Sequence, residues 1–263
     1  MHSPEQILAI SIEMGYKKTK KPLLSKLILG FIGGAMISLG YLAYIRVIAS
    51  IAHDWGSLAS FIGSLIFPVG LIIILLAGGE LVTGNMMAVS AAWFAKKISF
   101  ADFFVNILTI TFANFLGALF VAYFFGHLTG LTTTGVYLEE TLLITQAKLA
   151  ATPLQAFISG IGCNWFVGLA VWLCYGAKSD VGKMLATWFP VMTFVAIGFQ
   201  HSVANMFVLS AAIFENGATW SQFFSNFVPV YFGNIVGGAV FVSLFYLYAL
   251  KNKDTNDTDK SQL

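Results

Sequence analysis

Two short polar segments interrupt long apolar runs, and they hold most of the residues that could act on a solute. They read Gly78-Gly79-Glu80-Leu81-Val82-Thr83-Gly84-Asn85 and Gly198-Phe199-Gln200-His201-Ser202-Val203-Ala204-Asn205. His201 can offer an N–H donor or a proton near neutral pH, and Thr83 can offer a hydroxyl donor. The structural alternatives are a buried histidine bonded to backbone and a threonine that caps a helix. Because His201 lies at such an interruption, we favour contact with a solute for it and leave Thr83 open between the two roles.

Three further polar residues lie in or beside the apolar runs. A carboxylate as deep as Glu80 is costly in a membrane, so we expect it to be neutral or bonded to N–H groups of interrupted backbone. Asn164 could bond a neighbouring helix, but we favour a position on a solute pathway. Lys148 could draw anions to a pore mouth or be a solvated loop lysine paired with Glu139 or Glu140. His201 has no cysteine or second histidine beside it, which argues against a metal site.

The composition identifies an integral membrane protein. The chain has 263 residues, of which 58% are hydrophobic and 10% charged, whereas soluble domains carry about 25% charged residues. A net charge of only +2 argues against nucleic-acid binding, and the apolar content excludes a disordered chain. Cys163 and Cys174 lie eleven residues apart in one apolar run, too far apart on a helix for a disulfide.

Six apolar runs are long enough to cross a bilayer, which needs roughly 20 residues per helix. They cover residues 27–50, 57–95, 103–126, 153–176, 184–214 and 222–250. Of the 14 Lys and Arg residues, all but Arg46 and Lys148 fall on one side of these runs. The positive-inside rule then predicts a multi-pass protein of the plasma (inner) membrane with both termini in the cytoplasm.

The segments outside the runs are short. Ser3-Pro4-Glu5-Gln6 is typical of a helix N-terminus, and Ile7, Ile10 and Met14 share one helical face. We therefore expect residues 1–26 to form a cytoplasmic amphipathic helix along the membrane surface. Residues 27–250 would form the transmembrane domain, and the polar tail 251–263 would be disordered.

An internal repeat relates the two halves of this domain, about 27–126 and 153–250. A shift of 120 residues superposes identical residues, among them Asn85 on Asn205, Ser90-Ala91-Ala92 on Ser210-Ala211-Ala212, Asn114 on Asn234, and Gly117 on Gly237. A weaker match aligns Phe31-Ile32-x-Gly34 with Phe157-Ile158-x-Gly160. Three spans per half is an odd number, so the halves must be inverted relative to each other.

Inverted repeats place a solute pathway near the bilayer midplane, usually lined by broken helices. The two polar segments lie at equivalent points of spans 2 and 5, and we expect both helices to break there. Helices that begin near Asn85 and Asn205 would direct their positive ends to the midplane. This arrangement favours anions over cations.

The sequence resembles the formate/nitrite transporter family from about Pro4 to Tyr248. The resemblance is carried by Leu81-Val82-Thr83-Gly84-Asn85, Gly198 to Met206, Cys163-Asn164-Trp165 and Gly233-Asn234-Ile235-Val236-Gly237-Gly238. It implies an all-α, aquaporin-like fold of two inverted three-helix repeats. It also implies a homopentamer in membrane lipid with one pore per protomer and no cofactor.

The resemblance also implies roles for individual residues. His201 and Thr83 match the central pore pair, with Asn164 and Lys148 as its polar partners. Gln200 departs from many formate- and nitrite-type members, which have Glu there, and the sequence as a whole is most similar to the hydrosulfide branch. The remaining positions are the outer constriction (Phe67, Leu71, Phe194), the inner constriction (Leu81, Val82, Val167) and supporting residues (Glu80, Gln200, Asn85, Asn205).

The sequence therefore predicts a channel for small weak-acid anions such as hydrosulfide, formate or nitrite, in which His201 lends a proton at the centre. A proton-coupled formate or nitrite transporter remains an alternative, since the sequence does not show whether the proton returns to the same side or crosses the membrane. A neutral-solute channel of aquaporin type is the nearest rival. An intramembrane enzyme using His201 and Glu80 is disfavoured because the sequence has no Ser/His/Asp set, metal cluster or cofactor motif.

Overall fold

The computed structural model describes residues 1–51 and 55–251, and within these ranges every regular element is helical. The elements are α1 (Pro4–Lys20), α2 (Leu23–Ile48), α3 (Ser57–Ile66), α4 (Val69–Ile73), α5 (Val82–Phe94), α6 (Phe100–Phe120), α7 (Gly135–Leu149), α8 (Pro153–Gly176), α9 (Asp180–Ile197), α10 (Ser202–Phe214), α11 (Trp220–Val236) and α12 (Phe245–Lys251). Wider π-helical turns extend α4, α6 and α11 over Ile74–Gly78, Val121–Leu128 and Gly237–Leu244. The tail that was predicted to be disordered lies outside the described residues, apart from Lys251 itself.

Six helical stretches in the described ranges are long and apolar enough to cross a membrane. They are Leu23–Ile48, Ser57–Gly78, Phe100–Leu128, Pro153–Gly176, Asp180–Ile197 and Trp220–Leu250. The six predicted spans are confirmed. Most of their ends differ from the predicted ends by only a few residues. We call the side with α1 the terminal face and the side with α7 the α7 face.

Both predicted helix breaks are confirmed, and they occur at equivalent glycines. Gly78 has φ +101° and Gly198 has φ +86°, a region that side-chain-bearing residues rarely adopt. The chain then runs extended through Leu81 before α5 and through His201 before α10. Each broken span therefore directs the N-terminus of its second helix into the interior of the protein.

In the first half, one asparagine satisfies the backbone freed at the break. Asn114 Oδ1 accepts from Val82 N at 2.8 Å, while Asn114 Nδ2 donates to Glu80 O at 2.8 Å and Gly30 O at 2.7 Å. Buried backbone groups need such partners. Asn114 therefore holds the break in place and attaches it to α2.

The second half repeats this arrangement. Asn234 Oδ1 accepts from Ser202 N at 2.9 Å, and Asn234 Nδ2 donates to Gln200 O at 3.2 Å and Gly160 O at 2.8 Å. Two unrelated helices would not produce the same three bonds at equivalent residues. The hydrogen bonds thus support the repeat inferred from the sequence.

The register of the first helix in each half differs from the weaker sequence match. The bonds make Gly30 the equivalent of Gly160, a shift of 130 residues, whereas the match placed Gly34 on Gly160. That alignment was wrong because short apolar segments with scattered glycines resemble each other in several registers.

Helix α1 begins as predicted and packs on the protein. Ser3 caps it with a reciprocal bond to Gln6. Its buried face is formed by Ile7, Leu8, Ser11, Gly15 and Thr19 and lies against α5 and α8. The small residues at 11 and 15 permit this close packing on the protein, and the position of α1 along the membrane surface stays a prediction.

Helix α7 was not predicted and lies on the face opposite α1. Thr145 Oγ1 donates to Val208 O of α10 at 3.4 Å. The Arg46 guanidinium lies 3.3 Å from the Tyr137 ring centroid, which is a cation–π contact. Arg46 of α2 therefore holds α7 to α2.

Candidate functional site

The two breaks meet at His201 and Thr83. Thr83 Oγ1 lies 2.9 Å from His201 Nε2, although the residues are 118 positions apart. The Ala204 backbone N–H donates to His201 Nδ1 at 3.1 Å, so Nδ1 must be unprotonated. The ring is therefore neutral with its hydrogen on Nε2, which donates to Thr83 and leaves the threonine hydroxyl hydrogen free for another acceptor.

Asn164 lies beside this pair and is fully buried. Its Nδ2 donates to Thr83 O at 3.2 Å and to Asn234 O at 2.7 Å. Its Oδ1 has no hydrogen-bond partner among the described residues. The amide nitrogen of Asn164 thus connects the two halves, as in the alternative that it bonds a neighbouring helix. The amide oxygen remains available as a hydrogen-bond acceptor.

A cavity of about 580 Å³ opens on the α7 face and reaches His201. Phe67 and Phe194 are part of its lining, and their ring centroids lie 5.9 Å apart at 86°. Phe194 also stacks on His201 with centroids 5.9 Å apart. This aromatic pair therefore lies directly beside the central histidine, and its role as the outer constriction stays a prediction.

Two further cavities lie toward the terminal face. Leu71 and Leu81 line one of only about 10 Å³ together with Lys18 of α1, which is roughly enough for one water molecule. Leu75 and Tyr175 line both this cavity and a larger one of about 500 Å³. The smallest of these three cavities thus lies on the terminal side of the breaks.

The structure does not group all predicted constriction residues as expected. Leu71, assigned to the outer constriction, lines the cavity on the terminal side and not the one on the α7 face. Val82 and Val167 are buried but line none of the three cavities. Their inner-constriction role stays a prediction.

Lys148 lies at the cavity on the α7 face, and it has no counter-charge among the described residues. Its Nζ is 3.5 Å from Phe199 O, and no carboxylate in residues 1–51 and 55–251 is within ion-pair distance of it. The expected alternative of pairing with Glu139 or Glu140 is therefore not seen. Burial lowers the pKa of Lys148 to about 8, because the charged ammonium is poorly hydrated there.

Glu80 has partners that the sequence did not reveal. Its carboxylate accepts from Lys18 Nζ at 2.8 Å, Lys21 Nζ at 2.7 Å and Asn85 Nδ2 at 2.9 Å. The expectation of a neutral acid or one bonded to broken backbone was wrong. In the sequence, Lys18 and Lys21 served only to predict the topology. No local pattern connects them to Glu80, which is about 60 positions away.

Asn85 and Asn205 occupy equivalent supporting positions. Asn85 Nδ2 donates to Glu80 and to Asn106 Oδ1 at 3.0 Å. Asn205 Nδ2 donates to Gln200 Oε1 at 2.8 Å and Asn226 Oδ1 at 2.9 Å. Both therefore hold the break to the neighbouring helix, and each also lines a cavity, Asn205 the one of about 580 Å³ and Asn85 the one of about 10 Å³.

Comparison with known proteins agrees with these features. A family model described as "Formate/nitrite transporter" matches residues 5–248. The chain is 51% identical over 255 residues to the "Formate channel BtFdhC" of Bacillus thuringiensis, covering 97% of this chain and 98% of that protein.

Two solved structures are similar over nearly their whole length. One, titled "FNT family ion channel", superposes with a TM-score of 0.86 at 25% identity and covers 93% of this chain and 99% of that one. The other, titled "Pentameric formate channel with formate bound", gives a TM-score of 0.75 at 29% identity and covers 89% and 99%.

Proposed function

This chain belongs to the formate/nitrite transporter family, and from that premise we propose that it conducts small monovalent weak-acid anions across a membrane. The observation that carries the proposal is the contact between His201 and Thr83 at the end of the cavity on the α7 face. This contact brings two hydrogen-bonding side chains from opposite halves to the point where both spans break.

Formate is the first substrate to test. A relative with 51% identity is named a formate channel, and a similar structure is titled with formate bound. The hydrosulfide preference suggested by the sequence has no such support and remains a prediction. Nitrite, formate and hydrosulfide share the property on which the pathway depends, since each is the conjugate base of a small weak acid.

The assembly we propose is a homopentamer in the plasma membrane, with α1 and both termini in the cytoplasm. The pentameric state of a similar structure supports the first part, and the lysine distribution supports the orientation. Each protomer contains its own cavities and its own His201–Thr83 pair. One pore per protomer follows from this.

Passage begins with electrostatic capture. Lys148, which has no ion-pair partner in residues 1–51 and 55–251, attracts an anion into the cavity on the α7 face, and the N-terminus of α10 directs further positive potential toward it. Moving a bare ion past Phe67 and Phe194 would still carry a desolvation cost of several kcal/mol. Hydrogen-bond donors at the far end of the aromatic pair reduce that cost.

The central pair supplies these donors while His201 is neutral. His201 Nε2–H holds the Thr83 oxygen, so the Thr83 hydroxyl can donate to the anion. Lending a proton from an imidazolium would first require Nδ1 to give up the Ala204 N–H, because two donors would otherwise face each other. We propose that hydrogen bonding is the primary role of His201 and that proton transfer, as in the proton-coupled alternative, needs this rearrangement.

Two substitutions at His201 separate these roles in a proteoliposome flux assay. His201→Ala removes the helix cap and the donor that orients the Thr83 hydroxyl. It should lower formate flux about 10- to 100-fold, as expected when the misoriented hydroxyl no longer donates to the charged anion. His201→Asn keeps a cap for Ala204 and an amide donor but cannot titrate, so it should recover much of the flux.

If His201→Asn is as inactive as His201→Ala while both remain correctly assembled, hydrogen bonding alone is insufficient and proton lending is required. Measuring the pH inside the vesicles during formate entry distinguishes the channel from the proton-coupled transporter. Osmotic swelling with water and glycerol tests the neutral-solute rival, for which we expect little permeability.

A further inference from the structure

Equivalent residues of the two halves line cavities on opposite sides of the breaks. The Lys18 carbonyl accepts from Asn106 Nδ2 at 3.2 Å, and the Lys148 carbonyl accepts from Asn226 Nδ2 at 3.0 Å, so α1 and α7 are equivalent helices. The shift of 120 residues also pairs residues of the cavity of about 10 Å³ with residues of the cavity of about 580 Å³. These pairs are Ile74 with Phe194, Leu81 with His201, and Asn85 with Asn205.

One further pair places a phenol hydroxyl on the α7 side only. The hydrogen bonds of Gly30 and Gly160 relate α2 to α8 by a shift of 130 residues, which makes Tyr41 the equivalent of Val171. Tyr41 lines the cavity of about 580 Å³, and Val171 lines the cavity of about 10 Å³. The α7 side therefore has a hydrogen-bonding group where the terminal side has only methyl groups.

The Tyr41 ring lies next to the aromatic pair and is held in place by packing. It meets the Phe67 ring edge to face, with centroids 5.5 Å apart at 83°, and Phe67 in turn contacts Phe194. The rings of Tyr44 and Phe207 lie 5.6 and 6.1 Å from it. Because the side chain is already ordered, little conformational entropy is lost when its hydroxyl binds a solute.

The Tyr41 hydroxyl has no hydrogen-bond partner among the described residues. Its electrostatic neighbours are Tyr44 and Glu140, and Glu140 lines an adjacent cavity of about 200 Å³ and not the one of about 580 Å³. The residue is only 7% exposed, yet its hydroxyl is not enclosed by protein as those of Ser90 and Ser210 are. Buried polar groups need a hydrogen-bond partner, so this donor takes its acceptor from what enters the cavity.

We propose that the Tyr41 hydroxyl donates a hydrogen bond to the anion beside the aromatic pair, which makes Tyr41 a specificity-determining residue of the pathway. A bond from a phenol to a carboxylate oxygen is charge-assisted and strong, whereas sulfur is a weaker acceptor than oxygen. Tyr41 therefore favours small oxyanions such as formate over hydrosulfide. The inference rests on the proposed function, because it concerns the substrate of the same pathway.

Tyr41→Phe tests this role, because it removes the hydroxyl and keeps the ring that packs on Phe67. Flux of the full-length protein in proteoliposomes is measured against the concentration of sodium formate and, separately, of sodium hydrosulfide. Tyr41→Phe should raise the formate concentration for half-maximal flux about fivefold, as the loss of one net hydrogen bond would. The half-maximal concentration for hydrosulfide should stay within about twofold.

Tyr231→Phe is the matched control, since it also removes one phenol hydroxyl. Tyr231 bonds Thr111 at 2.6 Å and lines none of the cavities described above, so both half-maximal concentrations should stay within about twofold. Assembly of each variant is checked by its elution volume in detergent.

Two results would overturn the role of Tyr41 alone: an unchanged half-maximal formate concentration in Tyr41→Phe, or equal increases for formate and hydrosulfide. Absence of anion flux in the unchanged protein would instead overturn the proposed function.

Discussion

At the scale of single residues, the central histidine makes the backbone bond that was its structural alternative and also bonds a side chain of the other half. His201 caps α10 by accepting from Ala204 N, and it donates to Thr83 across the two breaks. The cap fixes which ring nitrogen carries the hydrogen, and this in turn fixes the direction of the bond to Thr83. The structural role of His201 therefore sets the ring orientation on which its proposed role in anion passage depends.

Lys148 should make anion entry depend on pH in the mildly alkaline range. Its pKa is lowered to about 8, so the ammonium is charged below that pH and neutral above it. Formate stays ionised throughout this range, so formate flux should fall as the external pH is raised from about 7 to 9.

Lys148→Arg is the matched control, because arginine stays protonated at every pH in this range. It should conduct formate without the alkaline decrease. A decrease of the same size in Lys148→Arg would assign the titration to another group and contradict the role of Lys148.

Residue-level partners were only partly predictable. The pairing of His201 with Thr83 followed from resemblance, and the polar nature of both breaks followed from the sequence itself. The ion pairs of Glu80 with Lys18 and Lys21 did not, because they depend on how α1 packs on α5. Tertiary contacts of this kind leave no local pattern along the chain.

At the scale of elements, α1 and α7 are equivalent helices that cover the two mouths. Apolar length predicted the six spans well, since a bilayer-crossing helix has a strong composition signal. Neither covering helix has that signal. The packing face of α1 combines two apolar residues, Ile7 and Leu8, with small and polar ones. Helix α7 is a mixed segment whose periodicity is weak, as in Thr141-Leu142-Leu143-Ile144-Thr145.

Docking of α1 should depend on Gly15. A Cβ at Gly15 would lie 2.0 Å from Ala88 O, so a side chain there forces α1 away from α5. Gly15→Val should lower the stability of the detergent-solubilised protein by about 1–3 kcal/mol, the usual cost of overpacking, seen as a lower melting temperature.

Ala9→Val on the exposed face of the same helix is the control for a β-branched residue in α1. It should leave the melting temperature within about 1–2 °C, as surface substitutions usually do. Equal melting temperatures for Gly15→Val and the unchanged protein would show that α1 is not packed as described.

At the scale of the whole molecule, the exposed surface is too apolar for a protein in water. Phe104, Phe112, Phe224 and Phe232 are each more than half exposed, and they form two pairs related by the shift of 120 residues. Such repeat-related surfaces lie on α6 and α11 and must be covered by lipid or by neighbouring protomers.

Native mass spectrometry should detect a particle of five chains, each of 28.5 kDa. A ring closes through two different surfaces of each protomer, so replacing Phe112 with Lys on one surface should release smaller species. A protein that is a stable monomer in mild detergent, and that conducts formate once it is in proteoliposomes, would contradict the pentameric assembly. The proposal of one pore within each protomer would not be affected.

The most direct measurement is concentration-driven formate flux into proteoliposomes for the unchanged protein and Thr83→Val. Valine has nearly the shape of threonine but lacks the hydroxyl that His201 holds. We expect rapid formate flux with little water or glycerol permeability in the unchanged protein, and at least about a tenfold lower flux in Thr83→Val. Undiminished flux in a correctly assembled Thr83→Val variant would contradict passage of the anion through the His201–Thr83 site.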